Sequence, residues 1–430
     1  MFDICVHEER LGTSSTNTML FKCSGTVRIC PRLASSLVAS SSSSPSSSSS
    51  PASSSLGRHL HRSLHLSALS RHSFQDPLPP SRLYARTTTM ASGNNTAAFL
   101  TEAKAHPFVV GPAPVWTPDA DEILVKNEAV AINPVDGNLQ YMAIYPLNYP
   151  TVLGQDVAGK VVAVGSGVTR FQVGDRVVGH ATSMISGRQQ DGGFQLHTIL
   201  QTNMASTIPA SMSYETAVVL PLGLSTAAAM MFQKALLNLQ RPVEPARQPG
   251  GETLLVWGGA SSVGSNAIQL AVAAGYEVIT TTSPHNFDYV KKLGASQVFD
   301  YKSPTVCKDL LTALEPKTLA GVVDCIGASA WAICVDVASK SRGNKFIVTT
   351  KRGFPDPPEG VTLQPVFGLT IKDDEISKAI YEDFLPKALE AGSFTPAPEP
   401  LVVGQGLESI QAAVDLQRAG VSAKKVVVKL

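Results

Sequence analysis

The sequence predicts an α/β protein in which a β-rich domain precedes a doubly wound parallel sheet. Residues 122–178 contain short β-rich runs separated by Gly165, Gly167 and Gly174, a pattern typical of a compact β-domain. From residue 253 onward, short buried strands alternate with helical patterns. Because this alternation indicates right-handed βαβ units, it predicts a parallel sheet.

Hydrophobic periodicity predicts the individual strands and helices. In the first part, strands are predicted over 122–132, 157–164 and 176–178. In the second part, strands are predicted over 253–257, 276–281, 298–299, 321–325, 345–349 and 425–430, and helices over 262–274, 286–293, 306–314, 375–390 and 407–418. The polar, Pro-rich stretch 238–251 precedes the first strand of the sheet, and its composition predicts a surface loop.

Composition and charge argue against several classes of protein. The 430 residues include 35 Lys and Arg against 34 Asp and Glu, for a formal net charge of +1, so the chain lacks the basic excess of nucleic-acid and anionic-membrane proteins. No run of about 18 apolar residues is evident, and the most apolar stretch, 217–232, is interrupted by Pro221 and Gly223. We therefore expect neither a nucleic-acid partner nor a membrane span.

The cysteines are few and unevenly placed. Three of the six lie within the first 30 residues, and none occurs between Cys30 and Cys307. This spacing is not a disulfide framework and suits a reducing compartment, so we expect a cytoplasmic protein. It also leaves no place for a four-cysteine structural zinc lobe.

Residues 1–89 are predicted to be a disordered extension, rich in Ser and Arg. The tract 40–55 is almost entirely serine, and no Asp or Glu occurs between Leu11 and Gln75, so the segment has too little apolar surface to offset its ordering entropy. An acid-poor, Arg-rich leader is also the composition of a mitochondrial transit peptide, although acidic residues stand at its very start. An over-extended gene model, with translation beginning at Met90, is the third interpretation that stays open.

A glycine- and serine-rich turn joins the predicted strand 253–257 to the predicted helix that follows. Its sequence, Gly258-Gly259-Ala260-Ser261-Ser262-Val263-Gly264, is a G-x-S-x-x-G variant of the dinucleotide-binding fingerprint. Gly259 would allow the tight turn, Ser261, Ser262 and Val263 would bring backbone N–H groups to a pyrophosphate, and Gly264 would allow close helix–strand packing. An ordinary strand–helix turn is the alternative.

The end of the second strand of the sheet indicates which nucleotide is preferred. An NAD site usually carries an acid about 20 residues after the first glycine, where it binds the ribose 2′-hydroxyl. This chain instead has Thr282-Ser283-Pro284-His285-Asn286, and the next carboxylate is Asp288, inside the following helix. Small hydroxyls, an amide and a histidine suit a 2′-phosphate, so NADPH is expected rather than NADH, unless His285 is simply an exposed loop residue.

With this turn assigned, residues 154–179, GQDVAGKVVAVGSGVTRFQVGDRVVG, resemble the signature of the medium-chain dehydrogenase/reductase family. The resemblance covers nearly everything from residue 94 onward. It implies a GroES-like substrate domain over 94–220, a Rossmann NADPH-binding domain over 221–372, and a C-terminal return to the substrate domain over 373–430.

The departures from the family pattern bear on metal binding. Where zinc alcohol dehydrogenases carry a ligand His followed by a Glu, this chain has Gln155 and Asp156, and the loop that supplies their cysteine ligand reads Asn133-Pro134-Val135-Asp136. With no thiol or His ligand in that region, we expect no catalytic zinc. His180 and His197 are interpreted as core or loop histidines.

The resemblance is stronger to zinc-independent members of the family. The stretch 133–136 is similar to the quinone-reductase loop, while 221–227, 283–288 and 298–301 are similar to fungal trans-acting enoyl reductases that serve polyketide synthases. Those relatives commonly carry Trp-Lys after the Asp, where this chain has Gly137-Asn138. The similarity implies that the following residues contact NADPH: Gly259, Ser261, Ser262, Val263 and Gly264 at the turn, Ser283, His285, Asn286 and Tyr301 at the adenosine end, and Val135 and Asp136 at the nicotinamide end.

Two further roles follow from the same resemblance. Thr226 is expected either to touch the nicotinamide amide or to act as a plain helix N-cap. The catalytic proton donor is not identified by the sequence, and the candidates are Asn133, Asn138 and Tyr141, from the loop that faces the nicotinamide in the family. A tyrosine with an ordinary pKa near 10 is a weak acid.

These features predict an NADPH-dependent, zinc-independent oxidoreductase that transfers hydride to an activated double bond, in an enone or enoyl thioester, or to a quinone. Without a metal, the acceptor must already be activated. An NADPH-binding protein without turnover, acting as a sensor or an interaction partner, is the alternative. The expected partner is a small-molecule substrate, the chain is expected to be a monomer or homodimer, and mitochondrial localisation is the alternative if residues 1–89 form a presequence.

Overall fold

The computed structural model describes residues 94–327 and 330–430, which lie in one compact unit. The predictions made for residues 1–89 lie outside the described residues.

The described residues form sixteen strands. These are β1 (Asn95–Leu100), β2 (Val109–Ala113), β3 (Glu122–Ala131), β4 (Thr151–Val152), β5 (Asp156–Val164), β6 (Arg176–His180), β7 (His197–Gln201), β8 (Ala205–Thr207), β9 (Glu252–Trp257), β10 (Glu277–Thr282), β11 (Gln297–Asp300), β12 (Thr318–Asp324), β13 (Phe346–Thr349), β14 (Thr362–Pro365), β15 (Glu399–Gln405) and β16 (Lys424–Lys429).

Eleven α-helices occur in the same part of the chain. These are α1 (Pro134–Met142), α2 (Ser183–Ser186), α3 (Tyr214–Ala217), α4 (Pro221–Phe232), α5 (Ser262–Ala273), α6 (Phe287–Lys292), α7 (Val306–Leu314), α8 (Ala330–Lys340), α9 (Glu375–Lys378), α10 (Leu385–Ala391) and α11 (Ile410–Ala419).

The β-rich lobe is built on a seven-stranded sheet. Its strand order is β15-β16-β3-β5-β6-β8, with β7 pairing the other part of β3. The central strand β3 pairs antiparallel with β5, from Ile123 opposite Val164 to Ala131 opposite Asp156. A smaller sheet, β2-β1-β4, packs beside it. This is the GroES-like β-domain that the sequence predicts.

The second lobe contains a six-stranded parallel sheet in the order β11-β10-β9-β12-β13-β14. Strands β10 and β11 therefore extend the sheet on one side of β9, and β12, β13 and β14 extend it on the other side. The carboxyl end of β9, at Trp257, lies opposite Thr281 of β10 and Asp324 of β12. In doubly wound sheets, ligands bind at this switch point. The predicted Rossmann fold is confirmed.

The C-terminal residues contribute to the first sheet. Strand β16 pairs antiparallel with β3, and β15 pairs parallel with β16. The helix predicted over 375–390 is real but irregular, because a π-helical segment, Ala379–Phe384, separates α9 from α10. Such segments are often found at functional sites. The exact domain boundaries remain a prediction.

Helix α4 packs at the junction of the two lobes. Eleven of its twelve residues are buried, Leu222 being the exception, as expected of a helix that is apolar on every face. The helical stretch Tyr214–Phe232, which includes α3 and α4, meets the length and composition of a membrane span, with a mean hydropathy of 1.4. The sequence prediction of no such stretch was therefore too strict. In the fold, 83% of this stretch is buried as a core helix.

Candidate functional site

The turn between β9 and α5 is tight and carries little side-chain bulk. Gly258 has φ +85, a conformation that glycine adopts without strain. A Cβ atom added to Gly264 would lie 2.3 Å from the Gly258 carbonyl oxygen, and one added to Gly259 would lie 2.2 Å from Thr280 Oγ1. Both positions therefore require glycine for the strand, the turn and the helix to approach one another this closely.

The serines of this turn have different roles. Ser261 is the N-cap of α5, and its Oγ accepts a hydrogen bond from the Gly264 N–H at 3.0 Å. The Ser262 hydroxyl is buried and has no hydrogen-bond partner, as does Oδ1 of Asn266 one turn later. A buried hydroxyl without a partner, beside free N–H groups at a helix N-terminus, matches the needs of a phosphate oxygen.

The residues predicted at the adenosine end come together at the carboxyl edge of the sheet. Thr282 of β10 lies opposite Asp300 of β11, so Ser283 and Tyr301 follow neighbouring strand ends. Tyr301 is 39% exposed. His285 is also exposed, whereas Asn286 is buried, so the Tyr301 and His285 side chains are accessible to a ligand.

One residue of this region was missed by sequence reasoning. Ser422, in the segment that enters β16, has its Oγ 3.0 Å from Nε2 of His285 and 3.1 Å from Nδ2 of Asn286. The hydroxyl thus stands between the two side chains that were predicted to select the nucleotide. No local pattern signals this contact, because more than 130 residues separate the partners.

A buried ionic cluster lies where α1, β5, α4 and β16 meet. The Lys425 Nζ is 2.8 Å from Oδ2 of Asp156 and also donates to Oδ1 of Asn133. Nδ2 of Asn133 donates to the same Asp156 oxygen at 2.8 Å, which closes a ring of three side chains. The other carboxylate oxygen of Asp156 accepts the Leu222 N–H at 2.7 Å, in the first turn of α4, where a negative charge is favourable.

Asp136 is the second carboxyl group of this cluster. It is the third residue of α1 and completes a capping box, in which its Oδ2 accepts the backbone N–H of the N-cap residue, Asn133, at 2.8 Å. Its Oδ1 is buried without a partner. Burial, reinforced by the nearby Asp156 charge, raises the pKa of Asp136 to about 7. Asp136 therefore changes protonation near neutral pH.

His180 belongs to a buried hydrogen-bond chain whose direction can be deduced. The Tyr381 hydroxyl donates to the Pro221 carbonyl at 3.0 Å, so its oxygen must accept from Ser225, 2.7 Å away. Ser225 must then accept from Nδ1–H of His180 at 2.9 Å. Because burial lowers the pKa of His180 to about 4, the ring is neutral at pH 7 and its Nε2 carries a lone pair, as an acceptor without a partner.

The predicted residues of α1 point in different directions. Asn133 lies in the ionic cluster, whereas Val135 packs on the core of the β-rich lobe and Asn138 is half-buried. The Tyr141 hydroxyl donates to Oδ1 of Asp415 on α11 at 2.6 Å, so it is not brought together with Asn133. Burial, together with the Asp415 carboxylate, raises the pKa of Tyr141, which makes it a weaker acid still.

The interpretation of Thr226 as a helix N-cap was wrong. Helix α4 begins at Pro221 after Leu220, so Thr226 lies at the sixth position of the helix. It is 7% exposed, and a Cβ atom added to Gly368 would lie 2.5 Å from its Oγ1. Thr226 is therefore a packing residue on the α4 surface against the segment that follows β14, and its expected nicotinamide contact stays a prediction.

A zinc ion does not fit the cluster. Where zinc alcohol dehydrogenases carry their ligand His, this chain presents the amide of Gln155, and the carboxylate of Asp156 beside it is paired with the ammonium of Lys425 at 2.8 Å. That pairing leaves Asp156 no free charge for a metal, and burial raises the pKa of the other carboxyl group, Asp136, to about 7. Within residues 94–327 and 330–430, no group of three His, Cys, Asp or Glu side chains has a metal-binding arrangement.

A nicotinamide dinucleotide does fit the two ends of the site. At the turn, Gly258, Gly259 and Gly264 leave the N-terminus of α5 without side-chain bulk, and the unpartnered Ser262 hydroxyl lies against Gly223 of α4. At the lobe junction, the amide of Gln155, Nε2 of His180 and the hydroxyl of Ser183 are buried and unpartnered. Because buried polar groups rarely lack partners in native proteins, these groups indicate that a polar ligand or ordered water completes the site.

Comparisons with known proteins agree with this arrangement. Residues 119–211 match the family model "Alcohol dehydrogenase GroES-like domain", and residues 262–377 match "Zinc-binding dehydrogenase". A zinc-binding alcohol dehydrogenase domain-containing protein of Emericella nidulans is 62% identical over 79% of this chain and 99% of its own length. The trans-enoyl reductase himH of Aspergillus japonicus is 39% identical over 79% of this chain and 99% of its own length.

A solved structure shares the fold. The CurK enoyl reductase superposes with a TM-score of 0.62 at 21% identity, covering 78% of this chain and 99% of that one.

Proposed function

Because this chain belongs to the medium-chain dehydrogenase/reductase family, with GroES-like and zinc-binding dehydrogenase domains, it is an oxidoreductase, and we propose that it uses NADPH, without zinc, to reduce an activated carbon–carbon double bond or a quinone. The observation that carries the proposal is the side-chain chemistry of the cluster: Gln155 stands where zinc-dependent relatives have their ligand His, and the Asp156 carboxylate beside it is paired with the Lys425 ammonium. Without a Lewis acid, only an acceptor that is already polarised will take a hydride.

The names of several relatives support this substrate class. Besides the Aspergillus japonicus protein, relatives include the enoyl reductase component of lovastatin nonaketide synthase of Aspergillus terreus, 34% identical over 89% of its length. We extend this chemistry to the present chain and take an enone or enoyl thioester as the substrate class, with a quinone as a further acceptor of the same kind.

The choice of NADPH rests on the adenosine end of the site. The imidazole of His285 and the amide of Asn286 each lie within 3.1 Å of the Ser422 hydroxyl, and this set can donate several hydrogen bonds to a phosphate. Between Glu277 and Asp288 the sequence has no carboxylate that would repel a 2′-phosphate. NADPH is therefore preferred over NADH.

The reduced nicotinamide, when bound, supplies a hydride. Residues of the chain bind and orient the cofactor, exclude water and hold a proton. The turn from Gly258 to Gly264 binds the pyrophosphate and orients the cofactor. The apolar residues around α4 exclude water from the lobe junction, which strengthens hydrogen bonds to the substrate oxygen as its negative charge develops. The Asp136 carboxyl, with a pKa of about 7, holds or releases a proton within the cluster at working pH.

The test is NADPH consumption by the purified full chain against a panel of enones, enoyl thioesters and quinones. We expect absorbance at the reduced-nicotinamide band to fall with at least one acceptor, and to fall much more slowly when NADH replaces NADPH. Tight NADPH binding with no turnover across the panel would contradict the proposal and favour a binding protein without catalysis. Zinc-dependent turnover of simple alcohols would also contradict the proposal, because it would indicate a zinc alcohol dehydrogenase.

A further inference from the structure

A cavity outside the phosphate turn and the ionic cluster lies between the C-terminal end of α4 and the segment that follows β14. Its volume is about 660 Å³, which is within the range of small-molecule pockets. Its apolar lining includes Phe232, Leu236, Phe367 and Ile376. Phe232 and Ile376 are each 2% exposed and belong to the main hydrophobic core, so packing fixes the floor of the cavity.

The charges at the rim of this cavity are unbalanced. Asp374 accepts a hydrogen bond from Nε2 of Gln233 at 2.6 Å, and Glu375 pairs with Lys234 at 3.5 Å. Arg352 also lines the cavity and is exposed, and its side chain makes no hydrogen bond or ion pair with any residue that the structure describes. The acidic groups are thus engaged, and Arg352 is left at the rim as an unpaired cation.

An apolar floor and a free guanidinium together define the chemistry of a ligand. The apolar side chains favour a hydrocarbon chain, because the removal of apolar surface from water is favourable. A guanidinium presents a planar fork of N–H donors, which matches a carboxylate through two parallel hydrogen bonds. The cavity therefore suits a molecule that has an apolar body and a carboxylate at one end.

The cavity adjoins the part of the site where the nicotinamide is expected. Phe367 is followed by Gly368, whose added Cβ would lie 2.5 Å from Oγ1 of Thr226. Thr226 is the sixth residue of α4 and Phe232 is the last, so at about 1.5 Å of rise per residue they are about 9 Å apart along the helix axis. A ligand in the cavity is therefore within a short chain's length of the expected hydride donor.

We propose, on the basis of the function proposed above, that this cavity holds the apolar tail of the acceptor and that Arg352 binds a carboxylate at the end of that tail. The activated double bond or quinone ring lies near Thr226, and the tail runs along α4 toward Phe232. The substrate class is thereby narrowed to an apolar enone, enoyl thioester or quinone that carries a carboxylate.

Three variants test the cavity and leave the phosphate turn intact. Arg352→Met removes the free charge, and Ala235→Trp fills the cavity from an exposed position of its lining. Lys351→Met is the matched control, because Lys351 is the neighbouring exposed cation and does not line the cavity. Its side chain lies against Gly327 instead, where an added Cβ would be 2.1 Å from the Lys351 Cγ.

The first readout does not depend on turnover. Octanoate and 1-octanol share a hydrocarbon chain and differ in charge, and each is titrated into the full chain by calorimetry. We expect Arg352→Met to bind octanoate at least about 10-fold more weakly than the wild type, as expected for a lost charge-assisted hydrogen bond, and to bind octanol equally well. Ala235→Trp should weaken both, and Lys351→Met neither. A wild type that does not bind octanoate, or equal octanoate affinities in the wild type and Arg352→Met, would overturn the proposal.

The second readout relates the cavity to the reaction. We expect octanoate to raise the KM of an accepted acceptor without lowering kcat, and this inhibition to need at least about 10-fold more octanoate in Arg352→Met. Octanoate that binds but leaves the KM unchanged would overturn the assignment of the cavity to the acceptor.

Two other outcomes are distinguishable from these. A wild type that binds octanoate but reduces no acceptor would contradict the proposed function, and with it the role of the cavity in the reaction, while the carboxylate site would stand. A wild-type dimer that Ala235→Trp converts to a monomer in light scattering, without octanoate binding to either, would show that a second copy of the chain fills the cavity and would overturn the proposal.

Discussion

Replacing Gly264 by alanine is the sharpest test of the phosphate turn. The added Cβ would lie 2.3 Å from the Gly258 carbonyl oxygen and 2.8 Å from the Gly259 Cα, and both neighbours are backbone atoms that cannot rotate away. Relieving the closer contact requires the turn and the start of α5 to separate by about 1 Å, because the packed interior has no spare space. A misplacement of that size costs about 100-fold where groups must be precisely positioned, or about 2.8 kcal/mol of NADPH binding.

The assay is calorimetric titration of NADPH into the full chain, with thermal unfolding measured in parallel. Gly111→Ala is the matched control, because no atom lies within 4 Å of a Cβ added at that position of β2. We expect the control to bind NADPH as the wild type does and Gly264→Ala to bind about 100-fold more weakly. If folded Gly264→Ala retained affinity within about 3-fold of the wild type, the turn would not be the pyrophosphate site.

Three further predictions concern single side chains. Ser422→Ala should weaken NADPH binding by about 10-fold while leaving NADH binding unchanged, because it removes one hydrogen bond to a charged group; equal losses for both cofactors in parallel titrations would contradict this. Tyr141→Phe should change kcat by less than about 2-fold, since its hydroxyl is already bonded to Asp415, and should cost about 1 kcal/mol in urea unfolding; a large loss of kcat would restore Tyr141 as a proton donor. Asp136→Asn should stabilise the protein at pH 8 by up to about 4 kcal/mol, and this gain should vanish near pH 4. The sign follows because burial raises the folded-state pKa of Asp136 from 3.8 to about 7, so the wild type loses stability as pH rises through that interval; a gain independent of pH in urea unfolding would refute it.

Local patterns predicted the framework of the fold well. The strand that ends at Trp257, the turn after it and the helix from Ser262 all occur within a residue or two of their predicted bounds. Helix α7 occupies residues 306–314, as predicted. These elements are set by the short-range alternation of apolar and polar residues and by glycines, which a single sequence displays directly.

The ionic cluster and the hydrogen-bond chain of His180 could not be predicted from such patterns. Lys425 meets Asn133 across 292 residues, and Tyr381 meets Ser225 across 156. Neither contact is signalled by the neighbouring sequence, because each depends on how the C-terminal elements return to the first lobe. Lys425 in the sequence is simply one of two adjacent lysines before a final strand, and only the pairing of β16 with β3 buries one and exposes the other.

The length of α1 explains the mixed outcome for its candidate residues. Resemblance placed the whole loop beside the nicotinamide, but a helix rises about 1.5 Å per residue, so Asn133 and Tyr141 lie about 12 Å apart along the axis. Gly137 and Tyr141 lie toward Arg418 of α11, while Asn133 caps the opposite end in the ionic cluster. The candidates that the family resemblance grouped together are separated by the geometry of a nine-residue helix.

The central claim, that this enzyme reduces its substrate with NADPH and without a metal, is tested most directly by the initial rate of NADPH oxidation before and after exhaustive chelation. With an accepted enone or quinone as substrate, the rate should be unchanged by the chelator, and elemental analysis of the active enzyme should find far less than one zinc per chain. A rate that falls to background on chelation and returns when zinc is added would contradict it.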